Sequence, residues 1–520
     1  SMEEWWNGNM DYLSTRDSSL RLSSMEIIKQ GISSEGGLFV PEYIPKLKNN
    51  DIDDMRKMDY RQRAYKVLSL FLTDYSQDDL KNIISAAYRE DNFDCPEIAP
   101  VVSLDKNLFV QELWHGPTYA FKDMALQILP HLMTTAAYRT GDDKEIVILV
   151  ATSGDTGKAA LEGFKDVDGT QVIVFYPDGG VSNIQKLQMV TQEGKNVHVV
   201  AIEGNFDDTQ TAVKTIFTDR EFNKSLEKHG KSFSSANSIN WGRLVPQIVY
   251  YVSAYIDLID SKALEAGEEF NVVVPTGNFG NILAAYYAKN MGIPIGKLIC
   301  ASNRNNVLSD FIKSGVYNIK REFYKTISPS MDILISSNLE RLLFELCDRR
   351  EEQIKKWMKE LKETGQYQLD DQSLKKLQSH LWGGYANEEQ TLTAIEDTYN
   401  RYNYVIDPHT AVGKWVYDAY KKETGDSRKT LLASTASPFK FHEDVLRAIL
   451  EPESLREKDE YQGLEMLESI SGMEIPSGLK NLRNKPIVHK TVVSKERIGH
   501  AVKNILRLDG GRHEDSHSTV

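Results

Sequence analysis

One lysine, set in a turn of glycine, proline and aromatic residues, is the group in this chain best placed to do chemistry. It lies in the run Glu112-Leu113-Trp114-His115-Gly116-Pro117-Thr118-Tyr119-Ala120-Phe121-Lys122-Asp123. An amine among apolar neighbours loses its proton more readily than one in water, and then acts as a nucleophile. Phe121 sits beside Lys122, and Ala125, Ile128, Leu129 and Leu132 follow at helical spacing. A solvated lysine at a helix start is the plainer reading of the same residue. Two glycine-rich turns lie downstream, Ser153-Gly154-Asp155-Thr156-Gly157 and Gly277-Asn278-Phe279-Gly280-Asn281. A nucleophilic lysine combined with anion-binding turns suggests a Schiff-base lysine serving a phosphate-bearing aldehyde, pyridoxal phosphate (PLP).

Each turn has a chemical and a bland reading. Gly277 to Asn281 follows an apolar strand and opens a helix, so backbone amides and the positive helix end can cradle a phosphate. Its spacing is neither that of a nucleotide P-loop nor that of a dinucleotide fold, and a plain strand-to-helix turn also favours Gly and Asn. Thr152 to Gly157 has the same context. Its hydroxyls and amides could hold a carboxylate, with Asp155 near a cofactor, or Ser or Asp could merely cap the helix. Ser235-Ala236-Asn237-Ser238-Ile239-Asn240-Trp241-Gly242-Arg243 is dense in donors ahead of a helix from about Arg243 to Ile259. Arg243 with its Asn and Ser neighbours could grip a second phosphate, or the run could be a solvent loop. Ser434-Thr435-Ala436-Ser437-Pro438-Phe439 ends a late strand. A hydroxyl there could meet a pyridine nitrogen, or simply turn the chain. As lone histidines, His115 and His409 read as structural.

These groups need a scaffold, and the hydrophobic pattern supplies one. Residues 2–95 read as a mostly helical region, with Ala64, Val67, Leu68 and Phe71, then Leu80, Ile83, Ile84 and Ala87, at helical spacing. From Pro100 short apolar runs alternate with helical stretches. The runs are Ile146 to Val150, Val172 to Tyr176, Val197 to Ile202, Val272 to Val274, Leu298 to Ala301 and Leu431 to Ser434. That rhythm predicts α/β architecture with parallel sheets covered on both faces. A charge-rich amphipathic stretch, with Ile354, Trp357, Met358 and Leu361 on one stripe, predicts a helical insertion over about 338–380. The catalytic α/β region is thus expected over 96–450, a C-terminal segment over 451–509 and a frayed tail over 510–520.

The chain of 520 residues is too long for one core. Its 41% hydrophobic and 26% charged residues suit a soluble globular enzyme. A formal net charge of −13 disfavours nonspecific nucleic-acid binding. No apolar run spans a membrane, and no basic-then-apolar secretory signal is visible. Cys95, Cys300 and Cys347 have no metal-ligand spacing, so no metal is expected, and a reducing cytoplasmic compartment fits best. The sequence fixes no oligomeric state.

Taken jointly and in order, these motifs resemble the threonine synthase family. The lysine motif, the turns at Thr152 to Gly157, Asn237 to Arg243 and Gly277 to Asn281, and the later Asp407 to Gly413 and Ser434 to Phe439 follow that family's sequence. So do the openings Tyr12-Leu13-Ser14-Thr15-Arg16 and Glu35-Gly36-Gly37-Leu38-Phe39-Val40-Pro41. The likeness covers nearly the whole chain except the tail. It implies a fold-type-II PLP enzyme with two parallel-sheet subdomains, an N-terminal helical domain and a helical insertion. The activity it implies is conversion of O-phospho-L-homoserine and water to L-threonine and phosphate. It also implies Lys122 as Schiff-base residue; Gly277, Asn278, Phe279, Gly280 and Asn281 around the cofactor phosphate; and Thr435 at the pyridine nitrogen. Asp155 would lie near the cofactor. Thr152, Ser153 and Thr156 would bind the substrate carboxylate, and Ser238, Asn240 and Arg243 the substrate phosphate. Three alternatives stay open. One is a phospholyase giving 2-oxobutyrate, ammonia and phosphate. The others are a serine/threonine dehydratase-like enzyme and a degenerate fold used only for binding.

Overall fold

The apolar runs form strands, and Glu145–Ala151 and Phe270–Pro275 are each followed by a glycine turn and a helix, as their sequence announces. The computed structural model describes residues 9–152 and 154–508. Ser153 and the expected tail from Gly510 lie outside the described residues. The chain divides into two compact units, residues up to Leu132 with Asn237–Lys480, and Met133–Ala236 with Asn481 onward.

The first unit is built on a six-stranded sheet in the order Leu381–Tyr385, Ile295–Ser302, Phe270–Pro275, Thr430–Ser434, Leu108–Glu112, Val101–Ser103. All neighbours are parallel except the last pair. Phe270–Pro275 and Thr430–Ser434 are buried at every residue, which is why they read as continuous apolar runs rather than alternating ones. Helix Trp241–Asp260 is buried along nearly its whole length and continues through Pro246. Trp241 at its start packs against Tyr12, Phe71 and Tyr287 at ring-centroid distances of 5.6, 5.8 and 5.4 Å.

Residues 9–95 belong to this unit, and helices are their main regular structure: Ser24–Gln30, Asn49–Met55, Tyr60–Phe71 and Gln77–Ala87. They also contain a small antiparallel sheet of Tyr12–Ser14, Asp17–Leu22 and Phe39–Pro41. The insertion consists of helices Leu339–Leu346, Glu351–Thr364 and Asp371–His380. Ile354 and Trp357 are the buried residues of the middle helix, as its apolar stripe predicts.

The second unit carries a five-stranded, wholly parallel sheet in the order Val492–Ser494, Val197–Glu203, Thr170–Pro177, Glu145–Ala151, Lys231–Ser234. Its core joins Val147, Ile173, Val200 and Ile216 to Ile498 and Val502 of the C-terminal helix Ile498–Leu506. The chain therefore returns at its end to complete a sheet begun some three hundred residues earlier (the separation of Ala201 from its strand partner Val492). Among the described residues no helix is long and apolar enough to cross a membrane.

Candidate active site

The lysine turn is laced to the end of a neighbouring strand. Leu108–Glu112 pairs in parallel with Thr430–Ser434, Glu112 opposite Ser434. Beyond the paired residues the two chains stay together. Leu113 N donates to Ser434 O at 3.0 Å, and Trp114 Nε1 to Ser434 Oγ at 3.0 Å. Ser437 N reaches Tyr119 O at 2.9 Å, Ala120 bridges to Ala436, and Phe121 N donates to Thr435 O at 2.8 Å. Thr118 gives both its N–H and its hydroxyl to the buried carboxylate of Asp123, at 2.8 and 2.6 Å, closing the turn across Lys122. Gly116 is required there, because a Cβ would meet the Asp123 side chain at 2.6 Å. Lys122 is half-buried and stands at the start of helix Asp123–Leu126. The structure thus brings Lys122 and Thr435 together, each next to a residue or atom of the same hydrogen bond.

The glycine turn emerges on the other side of the same strand. Phe270–Pro275 pairs in parallel with Thr430–Ser434, Val273 opposite Leu432. Lys122, Thr435 and Gly277 to Asn281 therefore all follow the carboxyl ends of three adjacent strands, where open α/β sheets bind ligands. Phe279 adopts a left-handed backbone (φ 74°) as N-cap of helix Gly280–Asn290, and its side chain cannot cap. The first-turn amides of a helix have no acceptor within it. Tyr250 Oη donates to Asn281 Oδ1 at 2.7 Å, and Tyr251 Oη donates to the same oxygen. Asn281 Nδ2 is buried with no hydrogen-bond acceptor among the described residues. An orphaned donor at an uncapped helix start fits an anionic group such as a phosphate.

The third group lies in the same unit. Asn240 caps helix Trp241–Asp260 by accepting from Gly242 N at 2.9 Å, and its Nδ2 donates to Ile28 O at 3.0 Å. Those bonds hold the loop in place and make Asn240 a residue that shapes it. Arg243 is 6% exposed, and burial lowers the pKa of its guanidinium to about 10. A guanidinium out of bulk water attracts an oxyanion more strongly than a hydrated one. Ser238 is half-buried.

The turn at Thr152 to Gly157 belongs to the second unit. Thr152 Oγ1 accepts from Gly154 N and Gly157 N, both at 2.9 Å, so the hydroxyl oxygen builds the turn. Those two bonds use the oxygen as acceptor and not its O–H hydrogen. Gly154 has φ 147°, in the region that side chains avoid. Asp155 and Thr156 open helix Asp155–Phe164, Asp155 buried and Thr156 half-buried. Gln185 Nε2 lies 3.4 Å from Asp155 Oδ1. Ser153 lies outside the described residues.

Comparison with known proteins accounts for both parts of the chain. Residues 11–88 match the family "Threonine synthase N terminus", and residues 93–377 match "Pyridoxal-phosphate dependent enzyme". The threonine synthase of Saccharomyces cerevisiae is 38% identical over 471 residues, covering 85% of this chain and 90% of that protein. The chain belongs to the threonine synthase family. The solved structure of PLP-bound threonine synthase from Brucella melitensis superposes with a TM-score of 0.85 at 35% identity, covering 96% of this chain and 100% of that one. Threonine synthase-like 1 of Homo sapiens is 43% identical over 434 residues, covering 82% of this chain. The chain spans about 58% of that relative's length.

Membership in the threonine synthase family explains the fold-type-II architecture and the order of the motifs. Sequence reasoning missed the residues that buttress the glycine turn from behind. Ser336 Oγ donates to Gly277 O at 2.7 Å, and Asn338 N to Asn278 O at 2.9 Å. His409 is structural, as expected. Its Nδ1 meets Asp407 Oδ2 at 2.7 Å and its Nε2 accepts from Ser330 N at 3.1 Å. A polar loop between two charge-rich stretches carries no sequence signal for such contacts.

His115 is also structural, but it carries a charge. Its ring lies between Asp94 at Nδ1 and Glu112 at Nε2, and stacks on Trp114 with centroids 4.3 Å apart. Burial opposes the charge, but the hydrogen bonds and charges of Asp94 and Glu112 outweigh it and raise the imidazole from 6.5 to about 9. A pKa raised in the folded state gives stability that is full below the unfolded value near 6.5 and lost as pH rises through about 9. Asp94 is more than half exposed, which screens its share. We expect His115→Gln to cost roughly 2 kcal/mol at pH 6 and much less at pH 10. Denaturant unfolding at the two pH values measures this, and an equal cost at both would remove the charge from the account.

Proposed function

We propose that the chain is a threonine synthase that converts O-phospho-L-homoserine and water to L-threonine and phosphate with pyridoxal phosphate as cofactor. The observation that carries this reading is the placement of Lys122, Thr435 and Gly277 to Asn281 after three adjacent strands of one sheet, within a chain of the threonine synthase family. The cofactor would be held by the amides of Gly277 to Asn281 and the side chain of Asn281, with Thr435 offering its hydroxyl to the pyridine nitrogen. When bound, pyridoxal phosphate supplies an electron sink for negative charge developing at the substrate's Cα.

The protein's own groups do the rest. Lys122, as a neutral amine, takes the Cα proton and returns protons along the carbon chain. Arg243 and Ser238 hold the substrate phosphate, so that binding energy from a remote group orients the reacting carbons. Asn240 keeps that loop in shape. Thr152, Ser153 and Thr156 bind the carboxylate, and Asp155 stands near the cofactor. A hydroxyl at Thr435, rather than a carboxylate, would leave the nitrogen of a bound cofactor largely unprotonated and so would favour some reaction channels over others. The three cysteines are free thiols, which supports a reducing, cytoplasmic setting.

A second reading, a phospholyase on the same groups, stays open because a relative of 43% identity is named only as threonine synthase-like. Both reactions need the same substrate contacts and differ in where water goes. Incubation of PLP-loaded protein with O-phospho-L-homoserine decides between them. We expect phosphate release matched by threonine. Phosphate matched by 2-oxobutyrate would establish the phospholyase, and no phosphate release would remove both.

A further inference from the structure

We propose that Asn338 is a positioning residue that fixes the spacing between the two anion-binding turns, Gly277 to Asn281 and Ser238 to Arg243, with the buried Arg341 behind it as the source of positive charge. The proposal rests on the reading of those turns as cofactor-phosphate and substrate-phosphate sites.

Asn338 is fully buried at the head of the helical insertion. Its N–H donates to Asn278 O at 2.9 Å, in the first turn. Its side-chain Nδ2 donates to Ser238 O at 2.9 Å, in the second. Its Oδ1 accepts from Arg341 Nη1 at 2.6 Å. Chemistry fixes the orientation of this amide: a guanidinium only donates and a carbonyl only accepts, so the two ends cannot be exchanged. One residue thus spans two loops that are forty residues apart in sequence and that would each face a phosphate, through its backbone N–H to Asn278 and its side-chain amide to Ser238.

Arg341 is held as a charge rather than as half of an ion pair. It is fully buried, with Nε on Phe39 O at 2.9 Å and the guanidinium 5.7 Å from the Trp241 ring centroid. The carboxylate next to it in sequence, Glu340, is taken up by Arg16 at 2.8 Å and by Thr15. Arg341 Nη2 has no acceptor. A buried cation without a carboxylate of its own raises the potential around it, and polarises an amide whose donor end points toward the anion loops. The N-terminal region is part of the arrangement, since Arg16 and Thr15 hold Glu340, and Phe39 holds Arg341.

Two variants separate this role from packing. Asn338→Asp keeps the size and the bond from Arg341, but it turns the donor facing Ser238 O into an acceptor and neutralises the cation. Asn338→Ala removes both bonds and leaves a small void, but adds no charge. A positioning and electrostatic role makes Asn338→Asp the worse of the two for anions, and a packing role makes Asn338→Ala the worse.

The experiment uses PLP-loaded wild-type and variant protein. It measures KM and kcat for O-phospho-L-homoserine, inhibition by inorganic phosphate, PLP affinity by absorbance titration after cofactor removal, and Tm. We expect Asn338→Asp to raise KM and the phosphate inhibition constant about ten-fold or more, to weaken PLP binding, and to change kcat little. Asn338→Ala should show the same changes at smaller size. Wild-type anion constants in both variants, or losses larger in Asn338→Ala, would overturn the proposal. If the wild type releases no phosphate, the functional reading fails separately. PLP affinity then decides on Asn338 alone, weakened binding supporting the link to Gly277–Asn281 and unchanged binding overturning it. Should Asn338→Asp not fold, a raised KM with retained kcat in Asn338→Ala supports the role, and unchanged constants overturn it.

Discussion

Lys122→Ala loses turnover by roughly 10³-fold or more while the protein stays folded and still holds pyridoxal phosphate without a covalent bond. The expectation follows from what the turn does and does not ask of this side chain. The turn is held by Thr118 to Asp123 at 2.8 and 2.6 Å, and its junction with the next strand by Phe121 N to Thr435 O at 2.8 Å. These bonds are made by other residues and remain when the lysine amine is removed. The groups proposed to hold the cofactor phosphate, Gly277 to Asn281, are equally untouched. What disappears is the amine proposed both to bind the aldehyde and to carry protons. Two measurements check this. Borohydride reduction of the wild type should label Lys122, and the variant should bind PLP with no Schiff-base absorbance band. Threonine formation by the variant at a rate near wild type would reject Lys122 as the catalytic group.

Much of this arrangement was legible in the sequence because it rests on buried parallel strands. Strands covered on both faces need apolar residues at consecutive positions, and Ile146 to Val150 and Val272 to Val274 advertise themselves for that reason. The glycine turns that follow were equally plain. The strand that delivers Lys122, Leu108–Glu112, was not read, because it is five residues long and ends in Gln111 and Glu112, polar types buried here by their place in the sheet. Val492–Ser494 was missed as well, since its side chains are exposed or half-buried and only its backbone pairing defines it. Contacts between distant polar residues left no trace at all. Nothing in the run around Asn338 says that its amide meets Ser238, one hundred residues earlier. The division of the chain shows the same limit. The N-terminal region reads as separate by composition, but Trp241 and its aromatic neighbours pack it into the larger unit. Conversely, geometry adds structural tasks that residue type alone does not announce, as when the Thr152 hydroxyl oxygen closes its own turn.

The two glycines of the candidate phosphate cradle look equivalent in sequence, and the structure makes them unequal. A Cβ on Gly277 would stand 2.7 Å from Ser330 O, a backbone atom. That backbone has little room to move. Ser330 N is fixed to His409 Nε2 at 3.1 Å, and His409 in turn to the fully buried Asp407 at 2.7 Å. Ser336 Oγ also holds Gly277 O at 2.7 Å. A Cβ on Gly280 meets only Asn338 Nδ2 at 3.4 Å and Gln247 Nε2 at 3.7 Å, both ordinary contacts, and alanine suits the first turn of a helix better than glycine. Gly277→Ala should therefore displace the turn and weaken PLP binding on the order of 100-fold, about 3 kcal/mol, with a lower Tm. Gly280→Ala should keep both PLP affinity and Tm near wild type. PLP titration and thermal unfolding of the two variants test the contrast. Loss of PLP affinity in Gly280→Ala with an unchanged Tm would mean that the phosphate itself, resting on the Gly280 backbone, is what demands glycine there. Wild-type behaviour of Gly277→Ala would mean that the Ser330 backbone yields, and that the His409–Asp407 tether does not hold it.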